Sequence, residues 1–183
     1  YCPRHGIDDP SNTVNYGLPR VICQLHLKLE NGEEKVVCSD ESWPATDQGP
    51  IRENNDYDGE AYDARMELGP WSLPGYDSSS WYSAEAGEAP QRVLRANQSV
   101  PQRVTQELAP ITMTHPDDDC FVIDMGQNMV GVVEFRLRGR PGQTVQLRHA
   151  ENLHEDGSID VANMRSAKVT DRYTFKDFRT VVW

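Results

Sequence analysis

Alternation of apolar and polar positions is the dominant pattern along this chain. Between residues 23 and 29 an apolar side chain occupies every second position, with polar residues between them. A period of two is typical of a strand that is buried on one face. The dipeptide Asn31-Gly32 follows at once and favours a tight hairpin turn. The pattern therefore predicts a hairpin whose second strand contains residues 35–38.

The remaining patterns also indicate strands, because no window carries the i, i+3, i+4, i+7 spacing of an amphipathic helix. Residues 39–83 are rich in turn dipeptides and are predicted to be mostly loop, with Trp43, Trp71 and Trp81 as apolar anchors. Beyond them, short strands are predicted at 92–94, 103–105, 120–125, 130–138, 144–151 and 171–175. Strands at this spacing predict an all-β fold made of antiparallel β-sandwich units.

Composition narrows the classes of partner. The 183 residues include 29 acidic and 18 basic side chains, which gives a net charge of −11. This balance argues against a nucleic-acid partner, since phosphate binding needs clustered Lys and Arg. No run approaches the roughly 18 apolar residues of a membrane span. A neutral ligand such as a sugar, or a cation, fits better.

Cysteine spacing gives no sign of a metal centre. The chain has four cysteines and none forms a CxxC pair, which makes a zinc site improbable on spacing alone. We predict free thiols, with Cys23 and Cys38 buried as apolar fillers of their strands.

Several ordered motifs resemble one enzyme family. The run FVIDMGQNMVGVVEFRLRG at 121–139 resembles the signature of bacterial α-L-rhamnosidases of glycoside hydrolase family 78. The segments VQLRHAENL at 145–153 and NMRSAKVTDRYTF at 163–175 resemble the motifs that follow it. Upstream, SDESW at 39–43, YDGEAYDAR at 57–65 and WSLPGYDSSSW at 71–81 resemble the preceding domain of the same enzymes, in the same order. The resemblance extends over nearly the whole chain.

This resemblance implies two all-β domains. Residues 1–97 would be an N-terminal jelly-roll-like sandwich, similar to a carbohydrate-binding module and lacking its opening strands. Residues 98–183 would be a C-terminally truncated concanavalin-like sandwich, in which a family segment is missing after Phe175 and residues 178–183 resemble a later strand. The family's catalytic (α/α)6 barrel, with its two carboxylates, is expected to be missing.

The implied function is that of a non-catalytic accessory region. The parent enzyme would be an inverting glycoside hydrolase acting on terminal α-L-rhamnosides, and no catalytic residue is assigned to this chain. The expected partners are L-rhamnose or rhamnosylated glycans, and the catalytic barrel. A free-standing lectin and a purely structural spacer are the alternatives.

The resemblance also implies where a sugar would bind. The N-terminal sandwich of some family members is similar to a rhamnose-binding module that holds sugar hydroxyls through a calcium ion. In the present chain Asn54, Asn55 and Asp56 could bind the hydroxyls and Tyr57 could stack on the sugar face. Calcium prefers oxygen ligands, so Asn55, Asp56 and Glu60 are its candidate ligands.

Other polar groups have competing interpretations. Glu60 and Asp63 could form the acid and base pair of a glycosidase, but pairing of Asp63 with Arg65 is the preferred interpretation. His149 is predicted to form a structural hydrogen bond with Glu151. The acidic run at 117–119 could bind a cation, although a solvated turn is favoured.

Overall fold

The computed structural model describes residues 20–88 and 95–183, and strands dominate both ranges. Helical structure in these ranges is limited to two short 3-10 segments, Ala64–Met66 and Ala162–Met164. No described helix has the length and apolarity needed to cross a bilayer. The all-β prediction is confirmed.

The strands are β1 (Gln24–Lys28), β2 (Glu34–Cys38), β3 (Pro44–Ala45), β4 (Ile51–Asn55), β5 (Gly59–Asp63), β6 (Tyr82–Ser83), β7 (Thr112–Asp117), β8 (Cys120–Asp124), β9 (Arg136–Arg138), β10 (Thr144–Arg148), β11 (Asn152–Leu153), β12 (Ile159–Asp160), β13 (Thr170–Thr174) and β14 (Thr180–Val182).

The described residues divide into two compact units. The first contains 20–50 and 66–88, and the second contains 51–65 and 95–183. The second unit is therefore discontinuous in sequence. The domain boundary near residue 97 that the family resemblance implies stays a prediction.

The first unit contains the predicted hairpin. Strands β1 and β2 pair antiparallel, from Gln24 opposite Cys38 to Lys28 opposite Glu34. Gly32 closes the turn with a φ of 82°, a left-handed conformation that glycine adopts without steric cost. Strands β3 and β6 form a second, two-residue antiparallel pair.

The predicted burial of Cys23 and Cys38 is wrong. Both thiols are free and exposed, and so is Cys120. Leu25 and Val37, which face each other across the hairpin, remain about half exposed at 52% and 46%. The hairpin forms from its alternating pattern and its turn, but its apolar residues stay largely open to solvent.

The second unit is organised around a four-stranded sheet in the order β10-β13-β5-β4. Strand β13 pairs antiparallel with β10 and parallel with β5, which in turn pairs antiparallel with β4. The parallel pair joins residues 61–63 to residues 172–174. Two-stranded antiparallel pairs complete the described part of this unit: β7 with β8, β9 with β14, and β11 with β12.

A small aromatic core lies against this sheet. Tyr173 stacks on Tyr62, its neighbour in the parallel pair, with ring centroids 5.5 Å apart and planes within 5°. Phe175 meets Tyr173 edge-on at 5.1 Å and is almost fully buried. Gly139 allows this packing, because a Cβ there would lie 2.4 Å from the Phe175 ring. Offset and edge-on ring pairs are the favoured aromatic geometries.

The predictions for the connecting segments were less accurate. Most of residues 39–83 is loop and turn as predicted, but the proposed sugar site lies on a β-hairpin formed by β4 and β5, with a register shift between Ile51 and Glu53. The strand predicted at 103–105 is irregular, and the one predicted at 130–138 is reduced to β9. The strand predicted at 92–94 lies outside the described residues.

Candidate sugar-binding turn and the polar cluster beside it

The turn between β4 and β5 carries the residues singled out for sugar binding. Asn55 organises it, because its Oδ1 accepts hydrogen bonds from the backbone N–H of Tyr57 and of Asp58, at 2.9 and 2.8 Å. This is the local turn that asparagine side chains commonly form with the residues after them. Asn54 lies opposite Glu60 in the register, and its Nδ2 donates to Glu60 Oε2 at 2.8 Å.

The same turn is fastened to the start of β13 and to the residues just before it. The N–H groups of Val169 and Thr170 donate to the carbonyls of Tyr57 and Asp58, at 3.0 and 2.9 Å. The Asp58 carboxylate also accepts from the Lys168 N–H at 3.1 Å and lies 3.8 Å from its Nζ. Residues more than 100 positions apart therefore fix the conformation of the turn.

Gly59 makes this close approach possible. Its φ is 99°, and a Cβ at this position would lie 2.3 Å from the Thr170 carbonyl oxygen and 2.7 Å from Asp171 Oδ1. Any side chain would meet both strain and a clash with backbone. The Asp-Gly dipeptide thus signals more than a turn in this chain, since it also permits the contact with β13.

The four predicted sugar contacts separate into two pairs. Asn54 and Asn55 have structural partners, as described above. Asp56 is exposed and has no hydrogen-bond or ion-pair partner among the described residues, and Tyr57 beside it is 55% exposed. The turn therefore presents a free carboxylate next to an accessible aromatic ring, which are the groups that can bind hydroxyls and pack on a sugar face.

The predicted calcium ligands do not form a ready site. In the described ranges no three His, Cys, Asp or Glu side chains converge closely enough to hold a metal ion. Both lone pairs of Asn55 Oδ1 are engaged by backbone N–H groups, and one oxygen of Glu60 accepts from Asn54. Calcium binding stays a prediction, and it would require Asn55 and Glu60 to give up these hydrogen bonds.

The pairing of Asp63 with Arg65 is confirmed. Two hydrogen bonds, of 2.9 and 2.7 Å, join the guanidinium to the two carboxylate oxygens. These bonds hold the pKa of Asp63 below its usual value, so its carboxylate is a poor proton donor. Glu60 and Asp63 are three positions apart on one strand and project to opposite faces. The geometry argues against these two as the acid and base of a glycosidase.

A polar cluster missed by sequence reasoning joins three strands. Asp171 on β13 accepts from the Glu60 N–H through Oδ1 at 2.8 Å, and its Oδ2 lies 3.0 Å from His149 Nε2 at the end of β10. The predicted His149–Glu151 pair is wrong, because Glu151 accepts from Asn163 instead. The antiparallel register that brings His149 near Asp171 links positions 22 residues apart, which spacing within one strand cannot indicate.

The acidic run at 117–119 is an exposed hairpin turn. Asp117 pairs with Cys120 at the ends of β7 and β8, and the two aspartates between them form the turn. Asp117, Asp118 and Asp119 are all exposed. The prediction of a solvated acidic turn is confirmed.

Comparisons with known proteins identify the class to which this architecture belongs. The profile described as the alpha-L-rhamnosidase N-terminal domain matches residues 1–106, and that of the bacterial alpha-L-rhamnosidase concanavalin-like domain matches 114–181. The chain belongs to the bacterial α-L-rhamnosidase family. Its matches are to the family's N-terminal and concanavalin-like domains.

Individual relatives agree with this assignment. An alpha-L-rhamnosidase of Streptomyces avermitilis is 40% identical over 160 residues, which is 86% of this chain and 15% of that protein. One from Alteromonas sp. (strain LOR) is 37% identical over 168 residues, covering 91% of this chain and 18% of the relative. The chain thus spans less than a fifth of the length of these curated relatives.

Solved structures show the same architecture. The Streptomyces avermitilis alpha-L-rhamnosidase complexed with L-rhamnose aligns with a TM-score of 0.82 at 38% identity, covering 88% of this chain and 16% of that one. The alpha-L-rhamnosidase from Dictyoglumus thermophilum aligns with a TM-score of 0.83 at 36% identity, covering 88% and 18%. The family resemblance read from the motifs is confirmed.

Proposed function

We propose that this chain is the non-catalytic accessory region of an enzyme that hydrolyses terminal α-L-rhamnosides, and that it binds L-rhamnose. The observation that carries the proposal is the ordered match to two domains that lie outside the family's catalytic barrel. The barrel itself is an expected partner. The structure of one relative contains L-rhamnose, which supports this sugar as the first ligand to test.

The turn between β4 and β5 is the proposed contact point for the sugar. A neutral monosaccharide offers hydroxyls and a face of C–H bonds, and it needs a polar acceptor beside an aromatic ring. Asp56 and Tyr57 supply these groups on adjacent exposed positions. Because the fastening to β13 fixes the turn backbone, little ordering entropy would be lost on binding. Few contacts are available, so we expect a dissociation constant of about 0.1–1 mM.

Calorimetry with L-rhamnose tests the proposal. Asp56→Ala is expected to abolish binding at the turn, and Tyr57→Ala to weaken it about tenfold, without a change in the circular dichroism spectrum. Asp118→Ala is the matched control, because Asp118 is also an exposed aspartate in a hairpin turn. If Asp56→Ala binds L-rhamnose as tightly as wild type, the sugar does not bind at this turn. Absence of any binding by the wild-type chain at millimolar sugar would favour a structural spacer.

A further inference from the structure

A cleft in the second unit has both polar and apolar lining. Its volume is about 350 Å³, enough for a monosaccharide, and its lining residues all belong to 51–65 and 95–183. The polar wall is the cluster formed by Glu60, His149 and Asp171.

The polar wall retains capacity for a ligand. Asp171 uses each carboxylate oxygen once, toward the Glu60 N–H and toward His149, and each oxygen can accept a second bond. Glu60 uses only one of its carboxylate oxygens, and the second ring nitrogen of His149 has no partner among the described residues. Glu60 and Asp171 lie on β5 and β13, and His149 directly follows β10, so the sheet holds all three groups in place.

The cleft also has an apolar lining that includes Trp183. Trp183 is held there by paired backbone hydrogen bonds with Phe135, of 2.7 and 2.9 Å, and its ring lies 5.6 Å from that of Tyr173. Leu147 and Val132 extend the apolar lining. Two carboxylates disfavour an anion, and the apolar wall provides no oxygen ligands for a bare cation. The combination suits a neutral ligand with hydroxyls on one side and C–H groups on the other.

We propose that this cleft is a second sugar site that binds a neutral 6-deoxyhexose such as L-rhamnose. The hydroxyls contact His149, Asp171 and Glu60, and the methyl-bearing side of the ring packs toward Trp183. The choice of sugar rests on the proposed function, whereas the location rests on the cleft alone. The site is distinct from the turn at Asp56, and two modest sites on one chain would strengthen attachment to a rhamnose-rich polymer through multivalency.

Mapping of amide chemical shifts by NMR during titration of the 183-residue chain with L-rhamnose separates the two sites. We expect concentration-dependent shifts at residues 131–133 and 147–149, in addition to those at 55–58. Val132→Trp should place a bulky ring at the rim of the cleft, obstruct its entrance and raise its dissociation constant at least about tenfold, while the turn shifts persist. Val130→Trp is the matched control: Val130 and Val132 are both highly exposed, but only Val132 lines the cleft.

Two further arms test the chemistry of the cleft. His149→Ala should weaken the cleft shifts several-fold and leave the turn shifts unchanged. L-Mannose, which carries a hydroxyl on the methyl carbon of L-rhamnose, should bind the cleft about tenfold more weakly, because a hydroxyl against an apolar wall loses its hydration. Equal affinity for the two sugars would overturn the assignment of a 6-deoxy sugar.

The outcomes distinguish this proposal from the proposed function. Shifts at the turn without shifts at the cleft would overturn the second site and leave rhamnose binding by the turn in place. Shifts at the cleft that survive Val132→Trp would also overturn it. Shifts at neither place would overturn both the cleft site and rhamnose binding by this chain.

Discussion

Replacement of Gly59 by alanine tests whether the sugar-binding turn depends on its approach to β13. Gly59 has a φ of 99°, and an added Cβ would lie 2.3 Å from the Thr170 carbonyl oxygen. The substitution therefore imposes backbone strain and an overlap that only a shift of the turn or of β13 can relieve. Gly157→Ala is the control, because Gly157 has a φ of 84° in the same unit and has no atom within 4 Å of the added Cβ.

The two contributions can be estimated separately. A left-handed conformation costs a non-glycine residue about 1–2 kcal/mol. Overpacking of a well-fitted contact typically costs about 1–3 kcal/mol more. We therefore expect Gly59→Ala to lower the free energy of unfolding by about 2–5 kcal/mol, and Gly157→Ala by about 1–2 kcal/mol. For a chain of this size, Tm falls by about 2–4 °C for each kcal/mol lost from the free energy of unfolding. The loss for Gly59→Ala therefore corresponds to a fall in Tm of about 4–20 °C.

Thermal unfolding followed by circular dichroism measures both variants under the same conditions. In addition, Gly59→Ala should weaken L-rhamnose binding at Asp56, because the turn can no longer pack against the start of β13. Equal losses of Tm for the two variants would refute this reasoning. That result would mean that the overlap with β13 is relieved without cost. Glycine would then be needed at position 59 only because of its positive φ.

Three further predictions follow from the fold and the site. The purified 183-residue chain should release no p-nitrophenol from an α-L-rhamnoside, and a clear steady rate would contradict its non-catalytic role. The Arg65 hydrogen bonds lower the pKa of Asp63 in the folded state, so the stabilisation they give is present above the unfolded pKa and is lost as the pH falls through the lowered value. The stabilities of wild type and Asp63→Asn should therefore differ modestly at pH 7 and converge in acid, since solvent reaches the exposed Arg65 and screens the pair. A difference independent of pH would exclude the ion pair as its source. The exposed hairpin β1–β2 should make the first unit prone to aggregation, and Leu25→Lys should increase the monomer fraction in size-exclusion chromatography; an unchanged fraction would show that another surface is responsible.

The local features of the fold could be predicted, because they depend on neighbouring residues. The hairpin at Asn31-Gly32 needs only an alternating pattern and a turn dipeptide, and the ion pair at Asp63 spans two positions. The exposure of Cys23 and Cys38 could not be predicted in this way. An alternating strand indicates that one face can be buried, but whether another element covers that face is a tertiary property.

Long-range features of the candidate site were beyond prediction for a similar reason. Asp56 and Tyr57 were identified from a family resemblance, and the structure shows them exposed side by side. The structural use of Asn55 follows local turn chemistry and could have been anticipated. The approach of Asp171 to His149 and to the Glu60 N–H depends on the order of strands in the sheet, and no spacing in the sequence encodes that order.

The parallel pairing of β5 with β13 has a consequence for how the protein folds. Strand β5 ends at Asp63, but its sheet partner ends at Thr174, near the end of the chain. Contacts with such a large sequence separation must close a long loop before they yield any stabilisation, so they form slowly. During synthesis the β4–β5 hairpin would therefore leave the ribosome well before β13. Until β13 is made, the edge of β5 that pairs with it would lack its partner. A break in the chain between residues 88 and 95 would divide this unit, so its two segments would have to reassemble as separate pieces to rebuild the sheet.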